Sequence, residues 1–240
     1  YPGAYTMKRL FLLSAVALAL TACSEAPQTS TASQPATTAE SAQLSESERL
    51  NAWFEEKYEQ QLQFSPLMMT RLGRKERYDQ IDDMSEQGQE KRLQWMAATV
   101  DELQANFDYS KLDEDTKISY DIWMFQFEQA KKQAEFRRRN YVLTQMNGMQ
   151  SMLPTLLINY HKVAEISDME AYISRLEGVG RAVEQLTSRV AINADEGVKA
   201  PYFAYEGVIK QSKAIISGKP FDADSDQDSS LLADVKTKVA

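Results

Sequence analysis

From Leu44 onward the apolar residues recur at three- and four-residue steps almost everywhere, and that period leaves room for little except helices. Leu50, Trp53, Phe54, Tyr58 and Leu62 share one face, behind a Ser45/Glu48 pair with capping-box spacing. Ser65-Pro66 interrupts the pattern. Ser65 suits an N-cap, Pro66 a first helical position and Gly73 the left-handed residue that closes a helix, which frames the short segment PLMMTRL. After the polar stretch RKERYDQIDDM, Ser85 opens a longer helix with Leu93, Met96, Val100, Leu103 and Phe107 on one side. Asp113 opens another, whose centre ISYDIWMFQFEQA is apolar on most sides and predicts burial between neighbours.

The second half keeps the period. Gly148 and Pro154 punctuate one segment, and Ser167 with Glu170 has capping-box spacing ahead of Tyr172, Leu176, Val179, Val183, Leu186 and Val190. Gly178 and Gly180 lie inside that run at a cost of about 1 kcal/mol each relative to alanine, so a close crossing of another helix is expected there. Pro201 starts a helix that Gly218 and Pro220 stop, and Ser229 or Ser230 caps a last pattern of Leu231, Leu232, Val235 and Val239. No C-cap follows it. With no strand pattern and no internal repeat, the expected fold class is all-α: a multi-helix array of amphipathic helices over residues 44–240, incomplete at its C-terminus.

The N-terminal residues state an address. Lys8 and Arg9 form a cationic region behind Met7, Leu10 to Leu20 is an apolar run, and Leu20-Thr21-Ala22-Cys23 resembles the lipobox of bacterial lipoprotein precursors. The run falls short of the roughly 20 apolar residues that span a bilayer. Expected boundaries are therefore residues 1–6 as upstream, non-native sequence, 7–22 as a lipoprotein signal peptide, 23–43 as the lipidated Cys23 and a disordered tether, and 44–240 as the helical domain. Cys23 is the only cysteine, which excludes a disulfide framework. Several acyl chains on Cys23 would hold the protein to the membrane, and Ser24 in place of an aspartate directs the expectation to the periplasmic face of the outer membrane. A Ser-, Thr-, Ala- and Gln-rich tether of this length reaches a few tens of Å, on the order of 5–6 Å times the square root of its length.

Composition argues against nucleic acid as a partner, because 35 acidic residues outweigh 27 basic ones and two of the basic ones, Lys8 and Arg9, belong to the leader. Lys131, Lys132 and Arg137 to Arg139 read as a helix end, where cations complement the negative pole of the backbone dipole.

Candidate chemistry is sparse. Asp222, Asp224, Asp226 and Asp228 alternate as at the start of a calcium loop, yet neither register supplies the turn glycine or the final glutamate, so they read as a solvated acidic loop. Met146, Met149 and Met152 have thioethers suited to copper(I), but methionine also fills irregular cores, and core packing is the better reading. His161, the only histidine, stands four residues before Glu165, too few ligands for zinc. No HExxH, glycine-rich phosphate loop, GxSxG or second nucleophile partner occurs, so no catalytic, cofactor-binding or metal residue is assigned in this chain.

Four stretches, SPLMMTRLGRKERYDQIDDMS, LDEDTKISYDIWMFQFE, FRRRNYVLTQMNGMQSMLPTLL and MEAYISRLEGV, together resemble the N-terminal portion of the bacterial "domain of unknown function 885" family. The resemblance implies a longer, mostly α-helical protein similar to helical zinc peptidases. It places an H-E-x-x-P-G-H type metal motif, and hence any zinc, in a C-terminal half that is missing from these residues. The implied partners are the membrane through the lipid anchor, that missing half, and peptide substrate. Two functions follow: the helical portion of a periplasmic peptidase-like lipoprotein, acting through shape, or a stand-alone helical binding or scaffolding lipoprotein.

Overall fold

The computed structural model describes residues 44–240, and Cys23 with its flanking segments lies outside them. Eight α-helices follow one another among the described residues: α1 (Glu46–Leu62), α2 (Pro66–Arg71), α3 (Glu86–Asn106), α4 (Glu114–Glu135), α5 (Met149–Tyr160), α6 (Ile166–Asp195), α7 (Tyr202–Ile215) and α8 (Ser230–Val239). Three-residue 3-10 turns, Tyr109–Lys111 and Arg137–Arg139, flank α4. The described residues hold no strand, only an isolated bridge between Lys219 and Asp228, so the chain is an all-α multi-helix array.

Local signals set most of the boundaries. Ser45 and Glu48 form a reciprocal capping box on α1, and the Ser65 side chain with Pro66 at the first turn heads α2. Gly73 sits at φ +78°, the left-handed conformation that releases α2 into the following loop. Ser85, Asp113 and Ser229 cap α3, α4 and α8 through side-chain bonds to backbone amides. The start of α6 differs from expectation. Its N-cap is Glu165, and Asp168 reaches back to the amides of Ala164 and Glu165, because Lys75 from the α2–α3 loop holds that carboxylate at 2.7 Å.

Two cores result. In the first, Leu50 and Trp53 of α1 pack on Leu103 and Leu112, with Phe54, Phe107 and Trp123 around them. Each fully buried large side chain there contributes about 1.5–3 kcal/mol. The Trp53 ring meets Phe54, Phe107 and Trp123 edge-on at 5.3–5.9 Å, and its Nε1 donates to Glu102 at 2.6 Å. Lys57, itself buried, pairs with the same Glu102 at 2.9 Å. In the second core, Leu67 and Ile81 meet Leu153 and Leu156 of α5 and Ala182 of α6.

The structure departs from expectation at three further places. The centre of α4 is not enclosed: Thr116 is its only buried residue, and Ile118, Ile122 and Phe125 are exposed, because α4 lays one face on α1 and α3 while no described element covers the other. Gly178 does permit a close approach, but by the loop residue Ile81, whose Cγ1 would stand 2.8 Å from an added Cβ, whereas nothing lies within 4 Å at Gly180. The Arg137–Arg139 turn is more than a solvated helix end. Arg137 pairs with Glu90, and Arg138 bridges Glu86 of α3 and Glu196 at the end of α6, so the turn ties three helices together.

Candidate functional site

The most heavily buried polar groups surround the α5–α6 junction. Arg175 of α6 is 0% exposed and His161, just past α5, is 1% exposed. The guanidinium donates from Nε to the Gln80 carbonyl at 3.0 Å, from one terminal nitrogen to Thr70 Oγ1 at 2.6 Å and Pro66 O at 3.3 Å, and from the other to His161 Nδ1 at 3.1 Å. His161 Nε2 stands 2.8 Å from the Asp168 carbonyl, which can only accept, so Nε2 carries the proton and Nδ1 is the acceptor. The Tyr78 ring stacks on the imidazole at 4.0 Å and faces the guanidinium carbon at 4.9 Å. Tyr172 donates to Asp234 of α8 at 2.9 Å, and Lys238 holds both oxygens of that carboxylate.

Electrostatics keep this knot in one protonation state. Burial, followed by the charges of Arg175 and Lys238, pushes the imidazole below its ordinary value, so His161 is neutral. Burial lowers Arg175 to about 10, still cationic at neutral pH. Burial and then Asp234 push the Tyr172 phenol up. With both ring nitrogens occupied, His161 has no lone pair for a metal, and Glu165 is committed to capping α6 instead of facing it. No group of three His, Cys, Asp or Glu side chains that could hold a metal occurs among the described residues. The knot orients helices; it offers no nucleophile and no open coordination position.

The remaining sequence candidates are dispersed. Met146 is 80% exposed in the loop before α5, whereas Met149 and Met152 line a small cavity with Met68, Leu153 and Leu156, and Met149 also packs against the second core. Asp222 accepts from the Asp224 amide within its own loop and Asp228 pairs with Lys236 of α8. Among the described residues, no helix is long and apolar enough to cross a membrane.

Several spaces remain between the helices, and two stand out by their lining. An apolar cavity of about 360 Å³ lies among α5, α6, α7 and α8, floored by Leu153 and Leu157 and bounded by Val179, Ile215 and Leu231. Beside it α7 buries only Ala204, leaving Tyr202, Phe203, Ile209 and Ile216 more than half exposed. A second, more open cavity of about 440 Å³ lies between α3, the end of α4 and α6, and its lining includes arginines but no carboxylate. Sequence reading missed both, because a cavity depends on how faces from distant segments meet.

The family model described as "Bacterial protein of unknown function (DUF885)" matches residues 66–240, from the first turn of α2 to the last residue. No curated protein and no solved structure matches the chain.

Proposed function

We propose that this chain, which belongs to the DUF885 family, is the N-terminal helical portion of a periplasmic, membrane-anchored lipoprotein resembling zinc-dependent peptidases, and that it walls one side of a cleft instead of carrying the chemistry. The supporting observation is the apolar surface that the described helices leave uncovered within the family-matched stretch. Ile118, Ile122 and Phe125 of α4, and Tyr202, Phe203 and Ile209 of α7 with Ile216 just past its end, form two such faces. Contiguous exposed apolar surface on this scale marks a surface for further protein. The described residues do not fit zinc, since the lone histidine uses both nitrogens elsewhere, and on this reading any zinc is held by residues other than those described. Cys23 is the proposed lipid attachment point, which would hold the domain at the periplasmic face of the outer membrane.

A second reading, a stand-alone helical binding lipoprotein, is supported by the two cavities, each large enough for a small ligand. The two readings separate on the reading frame beyond Ala240. Continuation through a His-Glu motif with a further histidine supports the first, and zinc should then co-purify with the longer protein. An immediate stop codon would leave the binding module. On the first reading, the 240-residue chain alone should also bind a hydrophobic dye strongly, and the longer protein should bind much less.

A further inference from the structure

In a chain with net charge −8, the open cavity between α3, α4 and α6 is lined by Arg92, Arg137 and Arg189 and by no aspartate or glutamate. The lining follows helical spacing. Gln89, Arg92, Leu93 and Met96 are one stripe of α3, Ala130, Gln133 and Ala134 one stripe of α4, and Leu186 with Arg189 one stripe of α6. The nearby carboxylates are taken: Glu90 by Arg137, and both oxygens of Glu86 by Arg138. Arg92 and Arg189 make no ion pair with a described residue. Arg189 donates only to the Met84 carbonyl, at 3.1 Å, and burial outweighs the more distant Glu86 charge to lower its pKa, the mark of a cation held partly out of water with no carboxylate in direct contact. The Gln89 Oε1 atom nearby is buried without a hydrogen-bond donor. Below the arginines the wall is apolar and deformable, with Met84, Met96 and Met149 beside Leu93 and Leu186.

We propose that this cavity binds a small organic carboxylate with an aliphatic tail, the carboxylate held by Arg92 and Arg189 and the tail lying on the methionine and leucine wall. A guanidinium fork matches a carboxylate with two parallel hydrogen bonds, and a low-dielectric wall strengthens that pairing. The unpaired cations account for the anionic head and the thioethers for the tail. A cavity of about 440 Å³ accepts a ligand of amino-acid or medium-chain fatty-acid size. The site shares only Leu186 with the lining of the apolar cavity, takes in no residue of α7, and does not depend on zinc or on peptidase activity.

The test is calorimetric titration of the full chain, in a neutral sugar detergent at low ionic strength, with N-acetyl-leucine and with octanoate, each against its neutral amide. One carboxylate should bind saturably and at least about ten-fold more tightly than its amide, the contribution of a charged hydrogen bond. Arg189→Gln should weaken it by about ten-fold or more. Arg92→Gln should weaken it about three- to five-fold at an unchanged thermal midpoint, since Arg92 is exposed and holds no described partner. Tighter binding of N-acetyl-leucine assigns the head to a peptide C-terminus, and tighter binding of octanoate assigns it to a fatty acid. Equal binding of acid and amide, no saturable binding, an unaffected Arg92→Gln variant, or inorganic phosphate binding as tightly as both acids would each overturn the proposal. Arg92→Gln keeps the test decisive even if Arg189→Gln fails to fold.

Discussion

The aromatic corner of α1, α3 and α4 and the polar knot around Arg175 are both buried, but they are held by different physics. Around Trp53 the contacts are edge-on rings and aliphatic packing, attractions that depend on volume and only weakly on direction. Around Arg175 each contact has a donor, an acceptor and an angle, and the guanidinium touches no carboxylate, only carbonyls, a hydroxyl, an imidazole and a tyrosine face, with Asp79 and Asp82 acting from farther away. The first region can repack after a substitution of similar size. The second cannot, because removing the guanidinium leaves the buried Gln80 carbonyl and His161 Nδ1 unsatisfied.

The sharpest way to break this contrast is a pair of volume-conserving swaps. Arg175→Met should destabilise the chain by about 3 kcal/mol or more, since it orphans the Gln80 carbonyl and His161 Nδ1 together. Leu103→Met, at an equally buried position in the aromatic corner, should cost less than about 1.5 kcal/mol. Denaturant unfolding of both variants measures the difference, and equal losses would erase the distinction.

A smaller effect tests how tightly the second core is closed. Gly178→Ala should destabilise by about 1–3 kcal/mol because the new methyl meets Ile81, whereas Gly180→Ala should stabilise by up to about 1 kcal/mol through helix propensity alone. Thermal midpoints moving in the same direction would show that helix propensity, and not the approach of Ile81, governs both positions.

The smallest effect is expected from pH. An unfolded histidine takes up a proton as the pH falls through about 6.5, while folded His161 resists because burial and the facing Arg175 and Lys238 depress its pKa. Stability fully present above about pH 6.5 is therefore lost progressively below it. The aromatic corner contains no histidine, and model carboxylates titrate near about 4, so the slope between about pH 7 and 5 belongs to the knot. His161→Gln should flatten that slope while lowering stability near neutrality, and an unchanged slope would assign it elsewhere.

Much of the fold is legible in the sequence. Ser45, Ser65, Ser85, Asp113 and Ser229 cap the helices they were expected to cap, because an N-cap is a contact across three residues that the chain carries with it. Where that locality ends, the reading ends as well. Ser167 and Glu170 had the spacing of a capping box, but Lys75, far away in sequence, recruits Asp168 and moves the helix start to Ile166. The central pattern of α4 spoke of burial, yet which of its faces meets a neighbour is decided by packing.

The sequence by itself determined that the described chain is helical and where most helices begin, since these depend on period and short-range hydrogen bonds. It also carried the family, through short landmarks in a set order. Only the tertiary structure decided that Arg175 and His161 share one buried network, that Gly178 yields to Ile81, and that Arg92 and Arg189 converge on a cavity without a carboxylate. Those contacts join residues many positions apart. They arise from which helix faces pack together, a choice made by the summed burial and hydrogen-bond satisfaction of the whole chain and written in no single segment.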